Sequence, residues 1–170
     1  MMNIAIKKLQ EEEFEKLFEF ELENRAYFEE MVPSRGDDYY NLETFKQRNK
    51  ALMDEQNQGV SYFYLINNQE GIILGRMNLV DIEKSQGLGH IGYRVGKAYT
   101  GKGIANIALN LLLETTTVLG IRQISAKTTT NNIASQKVLE KNGFQYIATA
   151  DEEFKMNGQL LSFVYYVWDK

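Results

Sequence analysis

The chain has 170 residues, of which 44% are hydrophobic and 12% aromatic, so it can bury a substantial core, and we predict one domain over residues 1–170. With 0 Cys and 1 His, the chain lacks the residues for a disulfide, a thiolate metal site or a histidine-rich metal site, and we predict no metal. The net charge of −4 argues against a nucleic-acid partner, and no apolar run is long enough for a membrane span, which favours a cytoplasmic protein.

The first half of the chain alternates apolar and polar residues in ways that predict both strands and helices. A polar stretch around Pro33, the only proline, separates the two helical patterns. The polar residues 67–71 are typical of a hairpin turn. The predicted elements are, in order, a strand over 3–9, helices over 11–30 and 42–55, and strands over 60–66 and 72–80.

The second half of the chain predicts strands and helices in alternation. Gly120 stands where a left-handed helix C-cap belongs, and Asn132 can cap the start of the last helix. The predicted elements are a strand over 87–95, a helix over 103–119, a strand over 121–129, a helix ending at 142–143, and strands over 144–150 and 159–168, joined by a turn at 156–158. This order predicts an α+β fold with one mixed sheet.

The glycine-rich turn at residues 96–103 nearly matches two nucleotide-binding motifs. It has the glycines and the lysine of a Walker A loop, but Gly103 stands where Ser or Thr should bind Mg²⁺. From Gly101 it also begins like a dinucleotide fingerprint, but Asn106 stands where the third glycine belongs. The antiparallel hairpins that precede it do not fit a doubly wound sheet. Neither motif therefore explains the turn.

A third interpretation takes Gly103 and Ala105 as a pair of small residues at the start of a helix. Small residues let the backbone approach a pyrophosphate without a clash from Cβ, and the helix dipole favours the negative charge. A helix start without any ligand explains the same residues equally well. The choice depends on a second segment, Asn132-Ile133-Ala134-Ser135, which is followed at 138–144 by Val-Leu-Glu-Lys-Asn-Gly-Phe.

Together these two segments resemble the acyl-CoA-binding core of the GCN5-related N-acetyltransferase (GNAT) superfamily. They are separated by one helix and one strand, as in that family. Residues 24–28 (Asn-Arg-Ala-Tyr-Phe) and 33–35 (Pro-Ser-Arg) are similar to the branch that acetylates ribosomal-protein alanine or serine N-termini, the RimJ/RimL-like branch. The resemblance implies one mixed, mostly antiparallel sheet that is flanked by helices and has splayed central strands.

The resemblance also implies acetyl-CoA as the cosubstrate. Pantetheine would lie along the strand at residues 93–95 like an added strand, and backbone amides of the glycine turn would hold the phosphates. Thr100 stands where the family has Gln or Arg, which removes one expected phosphate partner. The residues implied to bind the cosubstrate are Tyr93, Arg94, Val95, Thr100, Gly101, Lys102, Gly103, Ile104, Ala105, Asn132 and Ser135.

For catalysis, the resemblance implies direct attack by an amine on the thioester, without an acyl-enzyme. The amide of Val95 would donate to the developing oxyanion. Many relatives carry a tyrosine acid where this chain has Leu139, so we predict that Ser135 serves the departing thiolate. Its alternative role is to cap the helix start.

The general base is left open by the sequence. His90 is the only side chain with an unperturbed pKa near neutrality, and it lies on the strand that leads into the site. A structural role explains this lone histidine as well. Glu152 and Glu153 are rival bases, and a water chain without a dedicated base is a further alternative.

The acceptor is predicted to be a primary amine, either a protein N-terminus or a small molecule such as a polyamine, an amino acid or an aminoglycoside. Nine glutamates between residues 11 and 30 would attract cationic amines if they lined the acceptor groove, but a solvated helix face accounts for the same charges. A non-catalytic acyl-CoA sensor or scaffold on the same fold is the alternative function. The aromatic-rich terminal strands favour a homodimer.

Overall fold

The computed structural model describes residues 3–170, which form a seven-stranded sheet and a separate two-stranded hairpin. The strands are β1 (Ala5–Lys8), β2 (Tyr62–Asn67), β3 (Ile73–Glu83), β4 (Leu88–Val95), β5 (Gln123–Thr129), β6 (Gln145–Thr149), β7 (Phe154–Met156), β8 (Gln159–Leu161) and β9 (Phe163–Asp169). The large sheet has the order β1-β2-β3-β4-β5-β9-β6. Only β4 and β5 pair in parallel within it. The predicted α+β class and the mixed, mostly antiparallel sheet are confirmed.

The α-helices are α1 (Phe14–Glu23), α2 (Arg25–Glu29), α3 (Leu42–Gln58), α4 (Ile104–Leu119) and α5 (Ile133–Lys141). Both predicted caps are present. Gly120 ends α4 in the left-handed region at φ 72°, and the Asn132 side chain accepts a hydrogen bond from Ser135 N at 3.2 Å. Within residues 3–170, no helix combines the length and the apolar character that a membrane span requires.

The single helix predicted over residues 11–30 is instead divided at Asn24. The Asn24 side chain donates to Phe20 O at 2.9 Å and accepts from Lys97 N at 2.9 Å. These two hydrogen bonds hold the junction between α1 and α2 against the loop that follows β4. Apolar spacing could not predict this division, because Lys97 is 73 residues away in sequence.

The last predicted strand, 159–168, is also divided, into β8 and β9, and the sequence pattern missed β7. The turn predicted at 156–158 is confirmed and joins β7 to β8, since Asn157 and Gly158 both have left-handed backbone, at φ 52° and 79°. At its tip Asn157 Nδ2 donates to the carbonyls of Glu29 and Glu30 at 3.1 and 2.9 Å. The β7–β8 hairpin is thus attached to the end of α2.

Each face of the sheet is covered by helices, and each has its own apolar core. On one side, which we call the α4 face, Leu109 and Leu112 pack against strand residues such as Ile124. On the other side, the α1 face, Phe14, Leu17 and Phe45 pack against the opposite side of β2. Neighbouring residues of β2 alternate between the two cores, as the period of a strand requires.

The central strands separate part of the way along the sheet, as predicted. Strand β4 pairs with β5 only from Leu88 to Ile91, although β4 itself continues to Val95. The register irregularity of the central strands lies elsewhere, in β3 between Val80 and Glu83, where Asp81 has φ 52°. The gap between β4 and β5 opens after Ile91 and positions the site.

Candidate active site

A cavity of about 290 Å³ lies beyond the last pair of β4 and β5, and residues from both faces of the sheet line it. Its walls are predominantly apolar. The lining residues on the side of the α1 face are Tyr27, Phe28, Met31, Val32 and Arg94. The remaining lining residues belong to β4, the glycine turn, α4 and the start of α5: Tyr93, Val95, Tyr99, Thr100, Gly101, Gly103, Ile104, Ala105, Asn106, Asn132, Ala134, Ser135 and Val138. The cavity therefore passes through the sheet at the gap between the two strands.

The glycine turn at the start of α4 presents a row of free backbone donors to this cavity. The first hydrogen bond of the helix is donated by Ile107 N to Gly103 O at 3.1 Å. Within residues 3–170, the amides from Gly101 to Asn106 have no acceptor. These N–H groups and the helix dipole create an anion site that needs no charged side chain.

Two glycines give the turn its shape. Gly101 and Gly103 have φ values of 75° and 76°, in the left-handed region that other residues adopt only at a cost. A Cβ built on either residue would meet no atom within 4 Å, so the space above the turn is open. The turn therefore uses glycine both for its backbone conformation and to leave an anion free access.

The end of β4 also has backbone groups that face the gap. In an antiparallel pair, alternate residues direct their N–H and C=O groups to the same neighbouring strand. Gly96 N donates to Leu74 O of the β3 side at 2.8 Å, so Tyr93 and Val95 direct their groups away from β3. Because β5 has already separated there, both amides face the cavity without a strand partner. An extended ligand could pair with this free edge.

The start of α5 brings a hydroxyl group to the same cavity. Ser135 is half-buried and lines the cavity. Asn132, not Ser135, provides the side-chain cap of this helix. The hydroxyl of Ser135 is therefore not needed for capping, and it lies 3.2 Å from Tyr93 Oη.

Tyr93 makes this hydroxyl pair unusual. Burial raises the pKa of Tyr93, and although the hydrogen bond with Ser135 lowers it, the pKa is about 12. The phenol consequently keeps its proton throughout the neutral pH range. Sequence reasoning placed Tyr93 among the residues that line the ligand but could not predict this contact, because β4 and α5 are 42 residues apart here.

Asn106 is a lining residue that sequence reasoning considered only as a mismatch to a dinucleotide motif. Its Oδ1 accepts a hydrogen bond from Asn142 Nδ2 at 2.8 Å, and Asn142 Nδ2 also donates to Val138 O at 2.9 Å. These contacts fix the first turn of α4 against the end of α5. The asparagine therefore helps to hold α4 against α5, the two helices whose N-terminal turns border the cavity.

Not every predicted site residue lies at the cavity. His90 is exposed and lies five residues before Val95 on β4. At about 3.3 Å per residue, the two residues are about 16 Å apart along the strand. Lys102, Glu152 and Glu153 are exposed and are not lining residues. The structure thus brings together Thr100, Gly101, Gly103, Ile104 and Ala105 with Asn132 and Ser135, and leaves His90 and Lys102 outside.

Arg94 does line the cavity, but its side chain extends to the α1 face and not toward the glycine turn. Its guanidinium stacks 4.7 Å from the centroid of the Phe28 ring, and Nη2 lies 3.1 Å from Glu21 Oε1. Arg94 is the only charged residue that lines the cavity within residues 3–170. In that part of the chain, no group of three or more His, Cys, Asp or Glu side chains is arranged to hold a metal ion.

Besides Asn106, the lining residues that the sequence analysis missed lie in three places, one of which is Tyr99, directly before the predicted Thr100. Tyr27, Phe28, Met31 and Val32 belong to α2 and the residues that follow it, and their distance from the two motifs hid them. Ala134 and Val138 lie on α5, beside the predicted Ser135, and one helical turn of spacing could have identified Val138.

Comparison with known proteins places this site in a family. The family model described as an acetyltransferase (GNAT) domain matches residues 3–145. A protein of Bacillus subtilis (strain 168) described as probable N-acetyltransferase YjcK is 29% identical over 158 residues, which cover 91% of this chain and 87% of that protein.

Two solved structures share the fold over nearly the whole chain. The ribosomal-protein-S5-alanine acetyltransferase from Vibrio fischeri has a TM-score of 0.90 and 21% identity, and the match covers 99% of this chain and 94% of that one. RimL, the ribosomal L7/L12 α-N-protein acetyltransferase solved with coenzyme A, has a TM-score of 0.87 and 21% identity, with 98% and 94% covered. At the level of fold, the predicted likeness to the ribosomal-protein branch is confirmed.

Proposed function

The chain belongs to the acetyltransferase (GNAT) domain family and is an N-acetyltransferase, and from this premise we propose that it transfers an acetyl group from acetyl-CoA directly to a primary amine. The amine belongs to a protein N-terminus or to a small molecule. One observation carries the proposal: the cavity at the strand gap is bordered by free amides on two sides, at Val95 and at the glycine turn.

The residues of the turn fit the diphosphate of coenzyme A. Six consecutive amides from Gly101 to Asn106 are free, and no Cβ stands over Gly101 or Gly103. The predicted partners Thr100 and Lys102 add little, because the Thr100 hydroxyl donates to Lys97 O at 2.9 Å and Lys102 is exposed outside the cavity. The structure of RimL with coenzyme A supports the same ligand for this fold.

Acetyl-CoA supplies the acetyl group as a thioester, and the chain's own groups orient it. We assign to the Val95 amide the role of donor to the thioester oxygen, because this N–H faces the gap without a strand partner. A donor of this kind contributes about 3 kcal/mol in other enzymes. The free edge at Tyr93 and Val95 would hold the pantetheine arm as an added strand.

The hydroxyl pair of Ser135 and Tyr93 is proposed to serve the leaving sulfur. In this role Ser135 donates its hydroxyl hydrogen to the sulfur, which assigns Tyr93 as the donor in the 3.2 Å contact between the two hydroxyls. Tyr93 Oη also lies within donating distance of Ser135 O, at 3.3 Å. Because the pKa of Tyr93 is raised to about 12 by burial, the phenol remains a donor at neutral pH. This pair takes the place of the single tyrosine that Leu139 replaces.

Deprotonation of the amine is proposed to occur through water. His90, Glu152 and Glu153 are exposed and outside the cavity lining, so none of them supports direct removal of the proton. The roles predicted for His90 and for the two glutamates stay predictions. The predicted homodimer and the predicted cytoplasmic location also stay predictions.

The test measures release of coenzyme A thiol from acetyl-CoA over a panel of amines, together with titration calorimetry of coenzyme A. The proposal expects saturable binding of coenzyme A and turnover of at least one amine with transfer of one acetyl group. Binding without turnover of any amine would favour an acyl-CoA sensor. Absence of binding would overturn both functions.

A further inference from the structure

The α1 face carries a cluster of charges beside the cavity, which we call the arginine cluster: Arg35, Arg76 and Arg94 around the buried Glu21. The Glu21 side chain is fully buried, and Arg76 Nη1 donates to its Oε1 at 2.9 Å. Arg94 Nη2 and Arg35 Nη1 lie 3.1 and 3.7 Å from the same oxygen. Four distant segments of the chain thus meet at one carboxylate.

The charges of this cluster do not balance. Three guanidinium groups carry +3 and Glu21 carries −1, so the sum is +2. Within residues 3–170, no other carboxylate lies within 4.0 Å of Arg35, Arg76 or Arg94. Arg76 and Arg94 are also register partners on β3 and β4, where like charges repel. A further anion at this place would offset that repulsion.

The three arginines differ in how many of their donors are engaged. Tyr39 Oη accepts from Arg35 Nη1 at 2.6 Å and from Arg76 Nη1 at 3.2 Å, so both of these side chains have hydrogen bonds inside the cluster. Arg94 contacts Glu21 but donates no well-formed hydrogen bond to any residue of 3–170, and its Nη2 is buried without one. Arg76 Nε and Arg94 Nη2 are both buried, so neither atom can reach a ligand. The donors left for a ligand are therefore Nε and Nη1 of Arg94, the arginine that lines the cavity.

Arg94 is also the one member of the cluster at the cavity. Its ring partner Phe28 lines the same wall, and stacking at 4.7 Å fixes the plane of the guanidinium. The next residue in the chain is Val95, whose amide faces the gap from which the acetyl group would be transferred. An acceptor held at Arg94 would therefore lie next to the reacting end of the site.

From these observations we propose that Arg94 binds a carboxylate of the acceptor, so that the preferred substrates are amines whose own molecule carries a carboxylate close to the amino group. The inference rests on the proposed function, because it names which amines that same site takes. The planar fork of arginine suits a carboxylate, which can accept two parallel hydrogen bonds. Free α-amino acids and protein N-termini with an early Asp or Glu both present this chemistry.

The glutamates of the first helices do not oppose this charge preference at the cavity. Of the nine glutamates between residues 11 and 30, only Glu21 is buried, and none lines the cavity. A polyamine would bring further positive charge to a wall whose one charged residue, among residues 3–170, is Arg94. The charges at the cavity therefore favour acceptors that also carry a negative group.

The experiment uses pairs of acceptors that differ only in a carboxylate or a carboxamide. One pair is alanine and alaninamide, and the other is the peptide amide Ala-Asp-Ala against Ala-Asn-Ala. We expect kcat/KM to favour the carboxylate by about 10-fold to 100-fold in at least one pair, the size of one charge-assisted interaction. A preference in the first pair identifies free amino acids, and one in the second identifies acidic N-termini.

Variants connect this preference to Arg94. In Arg94→Gln the ratio within the favoured pair should fall to near one, and in Arg94→Lys it should recover only in part, because the bidentate fork is lost. The matched control is Arg122→Gln, an exposed arginine that donates to Gln86 O outside the cavity, and it should keep the ratio of the native protein. A ratio near one in the native protein, or one that survives in Arg94→Gln, would overturn the inference.

A binding measurement separates this inference from the proposed function. N-acetylalanine and N-acetylalaninamide are titrated into the protein saturated with coenzyme A, in parallel with the two acetylated peptides. Tighter binding of the carboxylate form, lost in Arg94→Gln, supports the subsite even if no amine is turned over. Equal binding within both pairs contradicts the subsite, while turnover of any amine leaves the transferase function standing.

Discussion

The two faces of β4 recognise charge in different ways. On the α4 face, the free amides of the glycine turn form an anion site, and within residues 3–170 no charged side chain of that face lines the cavity. On the α1 face, Glu21 and three arginines form a charged cluster with only one opening to the cavity, at Arg94. Backbone recognition suits a cosubstrate whose phosphates never vary, whereas side chains can change with the acceptor without altering the fold.

The largest effect is expected at the charged cluster, where Glu21→Ala would leave the buried Arg76, the partly buried Arg94 and the exposed Arg35 without their common partner. Loss of one member of a buried ion pair costs about 3–5 kcal/mol, so we expect a decrease of that size in the free energy of unfolding. Urea denaturation measures it. The matched control Glu19→Ala changes an exposed glutamate of the same helix and should unfold like the native protein. Equal stability of the two variants would show that Glu21 does not stabilise the cluster.

At the backbone site, Gly103→Glu would place a negative charge and a side chain over the open turn. We expect the affinity for coenzyme A to fall by about 100-fold, because the carboxylate repels the phosphates and occupies their space. Gly120→Glu is the matched control, since Gly120 has a similar φ of 72° and no atom within 4 Å of a built Cβ, but lies at the other end of α4. Both variants share the backbone strain. Equal calorimetric affinities would place the phosphates elsewhere.

The hydroxyl pair between the two sites should affect turnover but not binding. In Ser135→Ala and in Tyr93→Phe we expect kcat to fall by about 100-fold each, the lower end of the range that a general acid contributes. The double variant should lose little more of kcat than the single variant with the larger loss, because the two hydroxyls act in series. Tyr165→Phe, in an exposed position on β9, serves as the control. Additive losses would indicate independent roles.

The smallest effect concerns alkaline stability. Tyr93 has a pKa of about 12 in the folded protein and about 10 when unfolded, so the folded state holds its proton more tightly. Its contribution is therefore complete below pH about 10 and is lost as the pH rises toward about 12. We expect the free energy of unfolding to decrease less steeply over this window in Tyr93→Phe than in the native protein. Identical slopes would indicate a phenol with an ordinary pKa.

The difference between the backbone site and the charged cluster also explains what the sequence could predict. The glycine turn and the Asn132 cap follow from local backbone demands, left-handed φ at Gly101 and Gly103 and a free N–H at Ser135, and such demands appear as short motifs. The order of elements follows from periodicity, which also depends on neighbouring residues.

Short motifs and periodicity could not predict contacts between distant segments of the chain. The pairing of Arg76 with Arg94 depends on the register of β3 and β4, and their shared partner Glu21 comes from a helix more than fifty residues earlier in the chain than Arg76. The break at Asn24 depends likewise on Lys97. His90 was one candidate base because it is the only histidine, but its position on β4 places it outside the cavity lining.

The central claim is that main-chain donors at Val95 and from Gly101 to Asn106 hold the cosubstrate. Amide hydrogen exchange, followed residue by residue by NMR with and without coenzyme A, tests it most directly. The account predicts that coenzyme A slows exchange at Gly101 to Asn106 and at Val95, while the amide of Glu21 in α1 is unchanged. Saturation with coenzyme A that leaves the exchange of Gly101 to Asn106 unchanged would contradict it.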